Sequence, residues 1–328
     1  MKIALFSSKP YDKKYFDRFN NYNHEVHYFE AHLNIKTIEL AKNHQAICVF
    51  VNDKIDREMV LKLAEYGTKF IALRCAGFNN VDLDSCKEAG IKVCRVPAYS
   101  PYAVAEHTAA LMLTLNRRIY RAYNRVKDGN FALDGLLGFD IHGKTCGIIG
   151  TGKIGECFAK IMHGFGAKLL FHDPFENSEC TKMGEYTDLN TLFENSDIIS
   201  LHCPLRPETF HMINDQSIAL MKNKVMILNT SRGALIDTKA IIRGLKSSSI
   251  GSVGLDVYEE EGDLFFEDFS DTIIQDDDFM RLTTFPNVII TGHQAFFTST
   301  ALSNIAETTL RNLHELELEL PCQNLVND

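Results

Sequence analysis

Residues Lys144–Asp173 read KTCGIIGTGKIGECFAKIMHGFGAKLLFHD. A short apolar run, a glycine turn, an amphipathic helix, a second apolar run and an acid follow one another. That is the order a βαβ unit built around a mononucleotide requires. Gly150 permits a tight turn out of the first strand, Gly152 lets backbone approach a pyrophosphate with no Cβ in the way, and Gly155 allows close helix packing. The N-terminus of the helix then points its free N–H groups at the phosphates. Ile154, Phe158, Ile161, Met162 and Phe165 recur at helical spacing and give the helix one apolar face, which Gly164 and Gly166 bring to an end.

Spaced glycines alone also fit an ordinary strand-to-helix connection, so the context has to decide. Asp173 stands at the end of the second strand, where a carboxylate accepts both ribose hydroxyls of an adenosine and repels a 2'-phosphate. No lysine or arginine follows in Pro174, Phe175, Glu176 and Asn177. The expected cofactor is therefore NAD rather than NADP.

The chain has 328 residues, enough for two domains, and its 45% hydrophobic content supplies two buried cores. A net charge of −9 without a long basic cluster argues against nucleic acid as a partner. The longest apolar candidate, Ala109–Leu115, is bounded by Glu106, His107, Arg117 and Arg118, so no membrane span is expected. MKIALFSS reads as a first strand rather than a signal peptide. Nine cysteines without a CxxC pair suit a reducing cytoplasm. The histidines are dispersed, with no HExxH-type spacing, and no metal is expected.

Outward from the glycine turn, both flanks alternate apolar runs with amphipathic segments, the pattern of parallel sheets with crossover helices. Strands are expected at Ile3–Phe6, Ala46–Val51, Phe70–Arg74 and Lys92–Arg95, with helices at Asp56–Tyr66 and Asp82–Ala89. After Asp173 come strands at Asp197–His202, Val225–Asn229, Val253–Val257 and Val288–Thr291, and helices at Leu189–Glu194, Asp215–Met221 and Thr238–Lys246. Pro97 and Pro101 mark a crossing into a long helix, Pro101–Lys127, with a broad apolar stripe that suits packing or a subunit contact. Within it, Glu106 and His107 read as a polar edge or a bond to a nearby loop. Ser299–Leu318 is the last helix. The fold class is thus α/β: two parallel-sheet domains, Rossmann-like and flavodoxin-like, with an active-site cleft between them. Residues 1–99 with 299–328 form a substrate domain and 100–298 the NAD-binding domain.

In such sheets ligands sit beyond the carboxyl ends of the strands. Those ends read HCP (His202–Pro204), NTSRG (Asn229–Gly233), DVYEEE (Asp256–Glu261) and TGHQAFF (Thr291–Phe297). Taken singly, Arg232 is a surface charge, Glu261 part of an acidic loop and His293 a satisfied polar residue. Their joint placement points to one crevice.

Over essentially its full length the chain resembles the D-isomer-specific 2-hydroxyacid dehydrogenases, and within them the fermentative, D-lactate-forming branch. The motifs are LRCAGFNNVDL (Leu73–Leu83), RVPAYSPYAVAEH (Arg95–His107), GIIGTGKIG (Gly147–Gly155), LHCPL, NTSRGALID, GLDVYEEE, DLFFEDFSDTIIQDD and TGHQAFFT. The acidic, aromatic Asp263–Asp278 stands where relatives acting on glycerate or formate have a proline-rich stretch. The resemblance implies a catalytic trio of Arg232, Glu261 and His293. An arginine fork grips a 2-oxo acid's carboxylate through two charged hydrogen bonds. A histidine supplies the proton that hydride transfer to a ketone demands, and a nearby carboxylate favours its imidazolium form.

The resemblance further implies Ala76, Gly77, Tyr99 and Phe296 as substrate contacts, with Phe50 beside Phe296 on the methyl side. It assigns Lys153 and Ile154 to the phosphates; Lys153 replaces a frequent arginine. Cys203, Pro204 and Thr209 fall near the adenosine ribose, followed by Thr230, Ser231 and Arg232, and Asp256 lies near the carboxamide. The implied reaction is reversible hydride transfer between NADH and pyruvate, in a cytoplasmic homodimer or homotetramer. Two alternatives stay open: a dehydrogenase for larger D-2-hydroxy acids, and an NAD-sensing corepressor-like binding protein.

Overall fold

Ile148 and Ile149 are adjacent in the chain, yet each is sealed into a different hydrophobic core. This follows from the two-residue period of a strand whose faces are both covered by helices. The computed structural model describes residues 1–327; Asp328, the last residue of the expected substrate domain, lies outside them. From the N-terminus the elements are β1 (Lys2–Leu5), α1 (Pro10–Phe19), β2 (Glu25–Tyr28), β3 (Ala46–Val49), α2 (Arg57–Glu65), β4 (Phe70–Leu73), α3 (Leu83–Glu88) and β5 (Lys92–Arg95). Then come α4 (Pro101–Arg117), α5 (Ile119–Lys127), β6 (Thr145–Ile149), α6 (Lys153–Gly164), β7 (Lys168–His172), β8 (Glu185–Tyr186), α7 (Leu189–Asn195) and β9 (Ile198–Leu201). The chain ends with α8 (Asp215–Leu220), β10 (Val225–Asn229), α9 (Thr238–Ser247), β11 (Ile250–Leu255), α10 (Asp277–Thr283), β12 (Val288–Ile290) and α11 (Ser299–Glu317).

Two compact units result, Met1–Ser100 together with the chain from Phe296 onward, and Pro101–Ala295. The first holds a five-stranded sheet of order β2-β1-β3-β4-β5, the flavodoxin-like order. Ala4, Ile47, Ile71 and Val93 face α2 and α3, while Ile3, Leu5, Cys48 and Ala72 face Phe16 of α1 and Leu310 and Leu313 of α11. The second unit has seven strands in the order β12-β11-β10-β9-β6-β7-β8. Every strand pairing in both sheets is parallel. Met112 and Leu115 of α4 join Phe158 and Met162 of α6 on one face, and Leu192, Ile218, Ile241 and Leu245 cover the other.

Three features depart from the sequence reading. The long helix is two helices: Arg118, at φ 53, interrupts it in the left-handed region. The break lets the Arg118 Nη1 donate to the Pro286 carbonyl at 3.1 Å, and the Tyr120 hydroxyl donates to the same oxygen. Next, α1, β2, β8 and α10 form where no element was expected, because α1 buries few side chains, β2 is a half-exposed edge strand without an apolar run, and β8 and α10 are short. Last, the unit boundaries fall at Ser100/Pro101 and Ala295/Phe296 rather than at 99/100 and 298/299. Phe296 belongs with the first unit because its ring lies 5.9 Å from Phe50 and 6.2 Å from Tyr99, and Phe297 meets Tyr11 edge-on at 4.8 Å.

Candidate active site

In the second sheet the strand order reverses between β6 and β9, and that reversal is where a doubly wound sheet opens a crevice. Gly150 leaves β6 at φ +95, and a Cβ on it would stand 2.5 Å from the Cys203 amide nitrogen. The turns after β6 and β9 therefore touch backbone to backbone. A Cβ on Gly155 would stand 2.0 Å from the Gly150 carbonyl oxygen, so only hydrogen fits at either position. Gly152, the N-cap of α6, differs: a Cβ there would meet nothing within 4 Å. Lys153 is exposed beside it and Ile154 half-buried. A helix N-terminus behind open glycine backbone fits a pyrophosphate.

Asp173 receives one backbone N–H on each carboxylate oxygen, from Thr151 at 2.7 Å and from Phe175 at 2.9 Å. The hydroxyls expected at the cofactor are bonded within the protein. Ser231 Oγ donates to the Cys203 carbonyl at 2.6 Å, Thr209 Oγ1 to the Pro204 carbonyl at 2.8 Å, and buried Thr230 shares a 2.8 Å bond with Thr108. The Cys203 thiol is buried against Met212, while Pro204 is exposed. These residues set the shape of the strand-end turns.

Three adjacent strands then deliver the ionisable groups. Arg232 follows β10, half-buried, and its Nη1 donates to the Ser231 carbonyl at 2.7 Å. It makes no ion pair with a carboxylate among the described residues, so the guanidinium is left for another partner. Gly233 lies so close to the turn after β11 that a Cβ would stand 2.0 Å from the Tyr258 carbonyl. Beyond that turn, Glu261 accepts the Tyr258 N–H at 2.9 Å through Oε2 and lies 2.8 Å from His293 Nδ1 through Oε1. His293 follows β12 at φ 51, held there by its own N–H, which donates to the carbonyls of Asp256 at 2.8 Å and Thr291 at 3.0 Å. The ring and the carboxylate keep 17% and 18% of their side-chain surface exposed, so both can meet a solute. With Nδ1–H donated to Glu261, Nε2 is the nitrogen left to exchange a proton.

Asp256 is wholly buried, and its carboxylate takes bonds from Thr291 Oγ1 at 2.5 Å, Ala295 N at 2.8 Å and Gln294 N at 2.9 Å. His107 of α4 lies 3.4 Å from it and 3.1 Å from Thr291 Oγ1, a bond to a nearby loop of the kind the sequence suggested. Burial pushes the Asp256 carboxyl up, but His107, Thr291 and the two backbone amides outweigh it and hold its pKa below the ordinary value. A depressed carboxyl pKa stabilises the fold above the unfolded value, about 3.9, and that contribution is lost as pH falls through the lower folded value. Asp256→Asn should accordingly cost about 1–3 kcal/mol at neutral pH, with the deficit shrinking below about pH 4, as urea midpoints measured across that range would show.

In the first unit, the Ala76 carbonyl accepts from Arg95 Nη1 at 2.7 Å, and the Cys75 thiol donates to the Gly77 carbonyl at 3.3 Å. These bonds turn the chain sharply after β4. Asn304 Nδ2 donates to the Tyr99 carbonyl at 2.6 Å, and Tyr99, Phe50 and Phe296 form an aromatic group.

Residues 109–295 match the family model for the NAD binding domain of the D-isomer specific 2-hydroxyacid dehydrogenases. The chain is 55% identical over 326 residues to D-lactate dehydrogenase of Escherichia coli K12, covering 99% of each protein. The apo-structure of D-lactate dehydrogenase from Escherichia coli superposes with a TM-score of 0.91 at 52% identity, over 99% of this chain and 100% of that one. D-lactate dehydrogenase from Aquifex aeolicus, complexed with NAD and lactic acid, gives a TM-score of 0.89 at 35% identity over 99% of both chains. The fold and the family are thus those of an NAD-dependent oxidoreductase. The chain belongs to the D-isomer-specific 2-hydroxyacid dehydrogenase family.

Proposed function

We propose that this enzyme is a D-lactate dehydrogenase that reduces pyruvate reversibly, with Arg232, Glu261 and His293 as its working residues. The observation that carries the reading is a 2.8 Å histidine–glutamate pair at the same strand ends as a guanidinium that has no carboxylate partner among the described residues. Bound nicotinamide supplies the hydride in one direction and takes it in the other. Arg232 grips the substrate carboxylate and aims the ketone. His293 Nε2 gives its proton to the C2 oxygen as negative charge builds there, and takes it back when lactate is oxidised. Glu261 fixes the ring through Nδ1 and places a negative charge beside the imidazolium. Backbone N–H groups of Ala76 and Gly77 are further donors to the carboxylate, and Tyr99 and Phe296 are walls. The Phe50–Phe296 pair, 5.9 Å between ring centres, favours a methyl group over branched chains.

The deciding experiment is loss of NADH absorbance with pyruvate, 2-oxoisocaproate and phenylpyruvate in turn, followed by chiral analysis of the product. A preference for a bulky 2-oxo acid, or L-lactate as product, would overturn the assignment. Around the cofactor, Gly150, Gly152, Lys153, Ile154 and Gly155 cradle the pyrophosphate and Asp173 takes the ribose. Cys203, Pro204, Thr209, Thr230, Ser231 and Asp256 shape the surrounding wall. Asp173→Ala should weaken NADH binding by about 10- to 100-fold, the worth of a charged hydrogen bond, and narrow the gap to NADPH. Fluorescence titration with both cofactors checks this.

We further propose a cytoplasmic homo-oligomer. All nine cysteines are buried free thiols, and no helix among the described residues is long and apolar enough to cross a membrane. The stripe on α4 packs within its own unit, so the subunit contact is assigned to α5 and the loop after it, where Tyr123, Phe131, Leu133 and Leu137 are exposed. A monomer in light scattering would remove that contact, and recovery with periplasmic or membrane fractions would remove the cytoplasmic assignment.

A further inference from the structure

We propose that His24, His314 and Glu317 form a binding site for a divalent cation of the zinc class, which ties the last helix to the N-terminal edge of the first sheet. The His24 side chain is wholly buried, and its Nε2 makes no well-formed hydrogen bond, facing only the Leu310 backbone; buried His314 Nδ1 makes none either. Two buried ring nitrogens without well-formed bonds in one cluster are unusual, because burial without a bond forfeits hydration for nothing. One ligating atom from each of His24, His314 and Glu317 lies within 4.8 Å of the others. Tetrahedral zinc with bonds near 2.0 Å sets its ligands about 3.3 Å apart, so closing on a metal takes an ångström or so of side-chain rotation. On the Nδ1 side of the His24 ring, the side that also meets Met1, Glu317 Oε2 stands 3.6 Å away.

The locus suits positive charge. The Met1 amino group lies 2.8 Å from Glu317 Oε1 and 3.2 Å from His24 Nδ1, so a cation would share that carboxylate with it or displace it. The donors are also preset. Asn20 holds the backbone of His24 through two bonds, accepting its N–H at 3.0 Å and donating to its carbonyl at 2.7 Å. Tyr22 stacks on the His314 ring at 4.4 Å. A cavity of about 370 Å³ lined in part by Met1, Gln45, Lys92 and Glu317 borders the glutamate, though neither histidine lines it. Two imidazoles and one carboxylate select zinc, cobalt or nickel over calcium or magnesium.

The strands of the first sheet begin at this end, away from the Ala76 and Tyr99 end, so the metal is a structural clamp outside the catalytic chemistry. Because His24 lies 290 positions before His314 and 293 before Glu317, no ligand spacing announces the site.

Calorimetric titration of chelator-treated protein with zinc should show one equivalent bound per chain and a raised melting temperature. His314→Gln and Glu317→Gln should each weaken binding by more than the roughly 10- to 100-fold that outer-shell changes cost, while leaving pyruvate reduction and the metal-free melting temperature near wild type. Cobalt loading should give weak visible bands of nitrogen and oxygen ligands. No stoichiometric zinc binding, equal binding by both variants, or a strong near-ultraviolet thiolate band that assigns the metal to cysteine would each overturn the proposal.

Discussion

His293→Ala is expected to lower kcat for pyruvate reduction by about 100- to 10,000-fold while NADH binds with unchanged affinity. Among the described residues the imidazole meets Glu261 at 2.8 Å and no other side chain by hydrogen bond, so its removal takes away a proton donor and leaves the glycine turn after β6 intact. Steady-state rates paired with fluorescence titration of NADH measure the two effects separately. If cofactor affinity fell as far as turnover did, the histidine would be part of the nucleotide pocket rather than the acid. Glu261→Gln should lose less, because the amide still bonds to the ring and only the charge disappears.

Arg232→Lys should reduce kcat/KM for pyruvate by about 10- to 150-fold, the equivalent of roughly 1.5–3 kcal/mol for one charged hydrogen bond lost from a bidentate pair. An ammonium restores charge but cannot offer two parallel N–H groups to a planar carboxylate. The loss should sit mainly in KM. Its neighbour Gly233 packs against Tyr258 without room for a side chain, so the backbone of residue 232 stays in place in the variant. A fall confined to kcat, with KM unchanged, would reassign Arg232 from binding the substrate to the transition state alone.

The glycine turn was legible because each of its requirements is local: a strand, a positive φ, a bare helix start. The proposed trio of Arg232, Glu261 and His293 could be grouped for a different reason, since parallel sheets put strand ends in one place whatever lies between them. What stayed hidden depended on distant packing. Nothing near Arg118 announces a left-handed residue, because the partner that rewards the break, Pro286, lies 168 positions away. Thr209, Thr230 and Ser231 read as ligand hydroxyls by resemblance, yet Thr209 bonds back to Pro204 within its own loop, and the bonds of Thr230 to Thr108 and of Ser231 to Cys203 emerge only when α4 and the turn after β9 are brought beside them. Asp256 looked like one more strand-end acid. Its total burial, and its role in pinning the loop of His293, require β11, β12 and α4 at once.

That carboxylate has a mechanical consequence. The polypeptide enters the nucleotide unit at Pro101 and leaves it at Ala295. Asp256 grips the departing segment at Ala295 N, and the entering helix reaches it through His107, two turns in. Both connections are moored to one bollard, with His293 two residues from the rope. The N–H of His293 donates to the backbone carbonyl of the same Asp256, so one residue braces both ends of this unit and the backbone of the imidazole.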